Sequence, residues 1–193
     1  MDPWFTKAAV LAGILGLIAI RAPHGQRSRS VAVARSRRGA RENVLLGFAT
    51  VAFVLPLVWL VWPAPAPGDY PLAPAAYWTG VALLAFGLWI FHRSHVDLGT
   101  NWSITLEVRE QHTLVTRGIY RGIRHPMYLG LLLFSLGEAL VLPNYVAGPA
   151  YLVAIVLLIG GRLGPEEQLM LDEFGDEYAA YRTRSKRLVP GVW

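Results

Sequence analysis

Two polar stretches hold the side chains best suited to chemistry, and each abuts an apolar run. The first is His112 to Gly130, HTLVTRGIYRGIRHPMYLG, and the second is Arg162 to Tyr181, RLGPEEQLMLDEFGDEYAAY. In the first stretch, a residue before proline is biased away from α-helix, so His125 ends a loop and Pro126 opens a helix. The backbone N–H groups of Met127, Tyr128 and Leu129 then stand at a helix N-terminus, which favours a carboxylate or phosphate. The same residues also read as a headgroup anchor, with Arg124 and His125 at the interface and Tyr128 as an interfacial aromatic. In the second stretch, Gly164-Pro165-Glu166-Glu167 reads as a fresh helix start whose acids complement the dipole. The alternative is an acidic wall for a cationic ligand. Arg162 either snorkels to the interface or holds an anion bidentately.

Other constellations are weaker. His92 and His95, with Asp97, lack a fourth ligand at a fitting spacing, so no metal is expected. Glu138 lies inside an apolar run, where an acid is a functional candidate. Its position one turn from Leu142 favours snorkelling to the outer surface. The chain has no cysteine, which excludes disulfides, cysteine-held zinc or iron–sulfur sites and a thiolate nucleophile. No phosphate-binding glycine loop, HExxH or GxSxG motif is present.

The elements that must carry these residues follow from composition. Of 193 residues, 54% are hydrophobic and only 16% charged, against about 25% charged in soluble domains. The apolar residues fall into five runs, 4–20, 43–62, 75–91, 128–142 and 145–161. The expected fold is an all-α integral membrane bundle of about five transmembrane helices with a C-terminal amphipathic cytoplasmic helix. The fourth run spans about 23 Å as a helix and joins the fifth through Pro143-Asn144. In the tail, Met170, Phe174, Tyr178 and Tyr181 share one helical face from about Pro165. Gly80 and Gly87, seven apart in the third run, mark a face for close helix contact. Ile104 to Val108 reads as a short extended piece. The first run precedes its basic cluster, so it reads as an anchoring span and not a cleaved signal.

The charge is +5, with sixteen arginines and two lysines. Segments 21–42, 92–127 and 162–193 hold seven, five and five basic residues, and the other side holds only Lys7. By the positive-inside rule the N-terminus lies outside, and the candidate site and C-terminus lie on the cytoplasmic side. The arginine run is thus a topology determinant beside anionic membrane lipids, and no nucleic-acid partner is expected. Two parts follow. Residues 1–91 form the first three spans with their basic cytoplasmic loop 21–42. Residues 92–193 form the chemical part, with the hairpin and the tail.

Arg124-His125-Pro126-Met127-Tyr128-Leu129-Gly130, preceded by Gly118-Ile119-Tyr120, resembles the membrane isoprenylcysteine carboxyl methyltransferase family. Glu166-Glu167, Phe174-Gly175-Asp176-Glu177-Tyr178 and Tyr181 resemble its second signature, in the right order, and the DLGTNWS stretch from Asp97 to Ser103 is similar to prokaryotic members. The resemblance covers about residues 95–190. It implies S-adenosylmethionine as methyl donor, S-adenosylhomocysteine as product, and a lipophilic or prenylated acceptor. It places donor contacts at His112, Thr113, Leu114, Val115, Tyr120, His125, Pro126, Met127, Tyr128, Glu166 and Glu167. It places the acceptor carboxylate at Arg162, with Arg162, Glu166 and His125 as the chemical residues. Gly164 and Pro165 stand between Arg162 and Glu166, so whether these two share a helix face stays open. A carboxylate acceptor is already ionised and needs no general base; His125 could serve an amine or thiol.

The rival readings are a methyltransferase for a phospholipid amine or small thiol, an NADPH-dependent sterol-reductase-like protein, and a non-enzymatic membrane scaffold. The reductase reading expects an acid after Gly130, where this chain has Leu131.

Overall fold

The computed structural model describes residues 2–29, 33–36, 39–99, 107–109, 113–189 and 191. Their order is α1 (Pro3–Arg29), β1 (Val33–Ser36), α2 (Ala40–Val61), α3 (Pro74–Leu98), β2 (Glu107–Arg109), α4 (Pro126–Val141) and α5 (Ala147–Arg184). A short 3₁₀ turn, Gly118–Arg121, precedes α4. The helices α1, α2, α3 and α5 are long and apolar enough to cross a bilayer, and α4 is a shorter apolar helix of 16 residues. The chain is an integral membrane protein with the expected all-helical core. Its one addition among the described residues is a small antiparallel ribbon of β1 with β2. Its β2 strand, residues 107–109, overlaps the expected extended piece; its partner lies in the arginine-rich segment, which carried no strand pattern.

Glycine decides how α3 meets α4. A Cβ on Gly87 would stand 2.6 Å from the Phe134 backbone nitrogen and 2.8 Å from the Gly130 oxygen; one on Gly137 would stand 2.7 Å from the Gly80 oxygen. The pairs Gly80 with Gly137 and Gly87 with Gly130 therefore let two antiparallel backbones touch. The seven-residue spacing seen in α3 recurs in α4, and the two stripes face each other.

The end of the bundle away from the two polar stretches is closed by side chains. Asn144 accepts the backbone N–H groups of Val146 and Ala147 at 3.0 Å each and donates to the Asp69 carboxylate at 2.8 Å. Asp69 also accepts from the Trp59 indole at 2.8 Å and from the Ala66 backbone at 2.7 Å. The proline-rich connection is thus held to both the α2 end and the α4–α5 turn. That satisfies the first-turn donors of α5 that a helix start leaves open.

Two expectations are corrected. Pro165 does not start a helix. The helix runs unbroken through Gly164 and Pro165, and its non-helical residue is Gly175, at φ 49° and ψ −123°. Proline removes one backbone bond, to the residue 161 carbonyl, and glycine at 161 and 164 leaves room for the ring. Glu138 does not snorkel. It is fully buried, and neither carboxylate oxygen has a hydrogen-bond partner among the described residues. The helix presents it to the interior of the bundle and not to the outer surface.

Candidate active site

The loop before α4 and the far half of α5 meet because three backbone bonds join the loop to the tail. Arg124 N–H donates to the Lys186 carbonyl at 2.8 Å, His125 N–H to the Arg187 carbonyl at 3.0 Å, and Lys186 N–H to the Gly122 carbonyl at 2.9 Å. Tyr181 reinforces this, since its hydroxyl donates to the Tyr120 carbonyl. Gly118 adopts φ +60°. Its turn is held by Asp97, whose carboxylate accepts the Ile119 N–H at 2.8 Å and lies where a Cβ on Gly118 would clash. Asp97 is thereby a turn anchor, and the His95 Nδ1–H donates to the Phe91 carbonyl at 2.8 Å. Among the described residues no group of side chains could hold a metal.

Between these elements lies a cavity of about 410 Å³. One end is polar, lined by Tyr120, His125, Tyr128 and Glu166 with Thr113, Leu114 and Val115. The other end is apolar and runs between α1, α2 and α5, past Leu17, Ala49, Phe53 and Leu158. The Tyr128 hydroxyl donates to the Glu166 carboxylate, and the His125 and Tyr128 rings stack at 5.6 Å between centroids. Arg162 and Glu166 both face the cavity, one turn apart on a continuous helix, which resolves the question left by Gly164-Pro165.

The neighbouring acid has a different position. Glu167 does not line the cavity. Its carboxylate accepts from Arg124 at 2.9 Å and from Arg187 at 3.0 Å, with His125 Nε2 3.6 Å away. Burial disfavours its charge, but hydrogen bonds from His125, Arg187 and Arg124 outweigh that and hold its carboxyl down at about 2. It lies beyond the apolar run of α5, where it ties loop, helix and tail together. The phenols of the polar end lie the other way. Burial pushes Tyr181 up to about 12 and raises Tyr120 and Tyr178 further, so all three stay protonated, with Tyr181 and Tyr120 donating to the Tyr120 and Ser94 carbonyls.

The sequence-predicted residues mostly converge. Thr113, Leu114, Val115, Tyr120, His125, Met127, Tyr128, Arg162 and Glu166 line one cavity. Pro126 is buried as the first residue of α4 and does not line it, and His112 lies outside the described residues, as do Thr100 to Ser103. The backbone prediction at α4 is corrected: the N–H groups of Tyr128 and Leu129 both donate to the His125 carbonyl, at 3.1 and 3.2 Å. The first turn tightens on its own cap and uses those donors. What the spacing did not reveal is the contribution of the first two helices. Glu42 of α2 is buried against Arg162, 3.3 Å from its Nη2, and Arg21 of α1 lines the cavity. An acid in the first turn of α2 was the one available signal for Glu42.

The profile of the isoprenylcysteine carboxyl methyltransferase (ICMT) family matches residues 80–172. This region resembles that family. It begins inside α3 and ends in α5 just past Glu166 and Glu167, so it spans Thr113, Tyr120, Arg124, His125, Tyr128, Arg162 and Glu166 of the cavity but not Arg21, Tyr178 or Tyr181. The human protein-S-isoprenylcysteine O-methyltransferase is 32% identical over 116 residues, covering 59% of this chain and 41% of that one. The Schizosaccharomyces pombe enzyme of the same name is 28% identical over 114 residues, covering 58% and 48%. The chain thus spans less than half the length of these two relatives. A solved structure of a eukaryotic intramembrane Ras methyltransferase ICMT aligns over 79% of this chain and 51% of that one, with a TM-score of 0.55 and 22% identity. That likeness extends the ICMT fold beyond the family-matched region to most of the bundle.

Proposed function

We propose that the protein is an integral membrane methyltransferase that uses S-adenosylmethionine and methylates the carboxylate of a lipophilic, prenyl-type acceptor. The observation that carries the reading is the two-ended cavity, with Glu166 and Arg162 one turn apart where its polar and apolar ends meet. The names of the curated relatives support the reaction class.

The residues suit a cationic donor. Glu166 supplies a carboxylate, and the aromatic residues Tyr120, Tyr128 and Tyr178 line the same cavity, where ring faces favour a cation. His125, whose ring stacks on Tyr128 and whose Nδ1 lies 3.8 Å from the Glu166 carboxylate, lines the same polar end. When bound, the donor supplies a methyl group already activated on a sulfonium. The protein's task is then positioning, holding a nucleophile in line at about 3 to 3.5 Å. Arg162, backed by Glu42, orients the acceptor carboxylate; Tyr128 fixes Glu166; the phenols, held protonated, donate to oxygen atoms. The apolar end, open between α1, α2 and α5, takes the acceptor's tail from the bilayer.

The distribution of basic residues supports placing this site and the C-terminus on the cytoplasmic side, with the N-terminus outside. In that arrangement residues 92–193 carry the donor contacts, and residues 1–91 wall the acceptor end. Isothermal calorimetry with S-adenosylhomocysteine on the purified protein tests the donor. Binding is expected, and its absence at millimolar ligand overturns the reading. NADPH binding in its place would favour the reductase alternative. Mass spectrometry of lipid extracts incubated with isotope-labelled donor identifies the acceptor, and label on an amine or a thiol would replace the carboxylate assignment.

A further inference from the structure

Arg21 is one of the arginines whose sequence context points only to membrane orientation. In the fold it stands near the end of α1, half-buried, and lines the same cavity as Arg162. The two guanidiniums come from different helices, α1 and α5, and share that lining. Like charges brought together in a wall made largely of carbon raise each other's energy, and an anion placed between them reverses that.

The other charges of the cavity are arranged around this pair. Arg124, the third arginine of the lining, donates to Glu167 and to the Ser185 carbonyl behind the wall. Arg162 has Glu42 behind it. Glu166 is the cavity's own acid, and its partner is Tyr128 on α4. The site is therefore divided. The α4 side, at Glu166, suits a cation, and the α1 side, at Arg21 and Arg162, suits an anion. Tyr151, nearer the start of α5, lines the cavity as well.

We propose that Arg21 and Arg162 form a two-guanidinium clamp that selects an acceptor carrying a carboxylate, with Arg21 as the specificity-determining residue contributed by α1. Two planar forks can engage both carboxylate oxygens and fix the plane of the group relative to the donor. A neutral amide of the same shape engages neither charge. The first helix would then read the acceptor's headgroup as well as border its tail. This inference rests on the acceptor half of the proposed function and is independent of the donor half.

The test is direct binding of farnesoic acid and of its primary amide to the full chain in lipid nanodiscs, beside S-adenosylhomocysteine binding. The wild-type protein should prefer the acid. Arg21→Gln should lower that preference about tenfold while leaving S-adenosylhomocysteine affinity unchanged. Arg21→Lys keeps the charge but loses the fork, so the acid-to-amide ratio should fall by a smaller factor. If Arg21→Gln does not fold, the lysine variant alone decides. An unchanged ratio in a folded variant, or no preference in the wild type, overturns the clamp. Failure of the wild type to bind S-adenosylhomocysteine would instead overturn the methyltransferase reading, and the acid-to-amide ratio would still test Arg21.

Discussion

Replacing Glu167 with glutamine should destabilise the protein in a way that depends on pH with a particular sign. The Glu167 side chain is 4% exposed and faces Arg124, Arg187 and His125. Its carboxyl falls from 4.5 to about 2 in the folded chain. At about 1.4 kcal/mol per pH unit, that corresponds to about 3 kcal/mol of stability in favour of the charged form. Arg187 is 36% exposed, so solvent screens its share, and about 2 to 3 kcal/mol is the expected value. Because the folded value is depressed, this stability is fully present above about pH 4.5 and is lost as pH falls toward about 2. Glutamine has no such titration and leaves Arg124 facing a neutral group in a buried site. The difference in unfolding free energy between wild type and Glu167→Gln should thus be flat from about pH 7 to about pH 5 and then shrink as the medium becomes more acidic. Denaturant titration in detergent micelles at a series of pH values reads it, since other carboxyl groups cancel in the difference. A difference constant across the whole range, or absent at neutral pH, would refute the argument. Donor affinity is a separate readout and would show whether the tie also shapes the cavity.

The remaining predictions concern binding and packing. Glu166→Ala should weaken S-adenosylhomocysteine binding more than tenfold, about 1.4 kcal/mol; unchanged affinity by calorimetry would remove Glu166 from the donor site. Gly87→Ala places a methyl group 2.6 Å from a backbone nitrogen of α4 and should cost about 1 to 3 kcal/mol. Gly160→Ala on α5 meets nothing within 4 Å and should stabilise by about 0.5 to 1 kcal/mol; equal melting shifts in the two variants would contradict the close α3–α4 approach. Glu138→Leu should raise the melting temperature, because a buried acid with no hydrogen-bond partner costs about 1 to 3 kcal/mol. A fall would mean that Glu138 has a partner worth keeping.

Much of the fold was legible because it depends on neighbours in the chain. Each apolar run became the apolar part of one of α1 to α5, since bilayer-length helices are defined by unbroken hydrophobicity, but α1, α3 and α5 run on past it to Arg29, Leu98 and Arg184. His125 and Pro126 marked the start of α4 through proline's own geometry. The residues of the two polar stretches converged because they flank one hairpin, and the family resemblance fell on them for that reason. Local rules failed where a competing interaction was stronger. The Gly164-Pro165 pair looked like a break, yet the helix carried on to Gly175, where a positive φ kinks it before it resumes to Arg184. The α4 first-turn donors looked available, yet the His125 carbonyl used them.

The sequence by itself determined that this is a helical membrane protein with its basic residues gathered in three segments between the apolar runs and a signature resembling one family around His125 and Glu166. Tertiary structure alone decided what stands opposite that signature. Glu42 behind Arg162, Arg21 in the cavity wall, Glu167 turned away to hold Arg124 and Arg187, and Glu138 sealed inside the bundle are contacts between helices far apart in the chain. No periodicity encodes such pairs, because the spacing of residues along one helix says which face they share but not which helix that face meets.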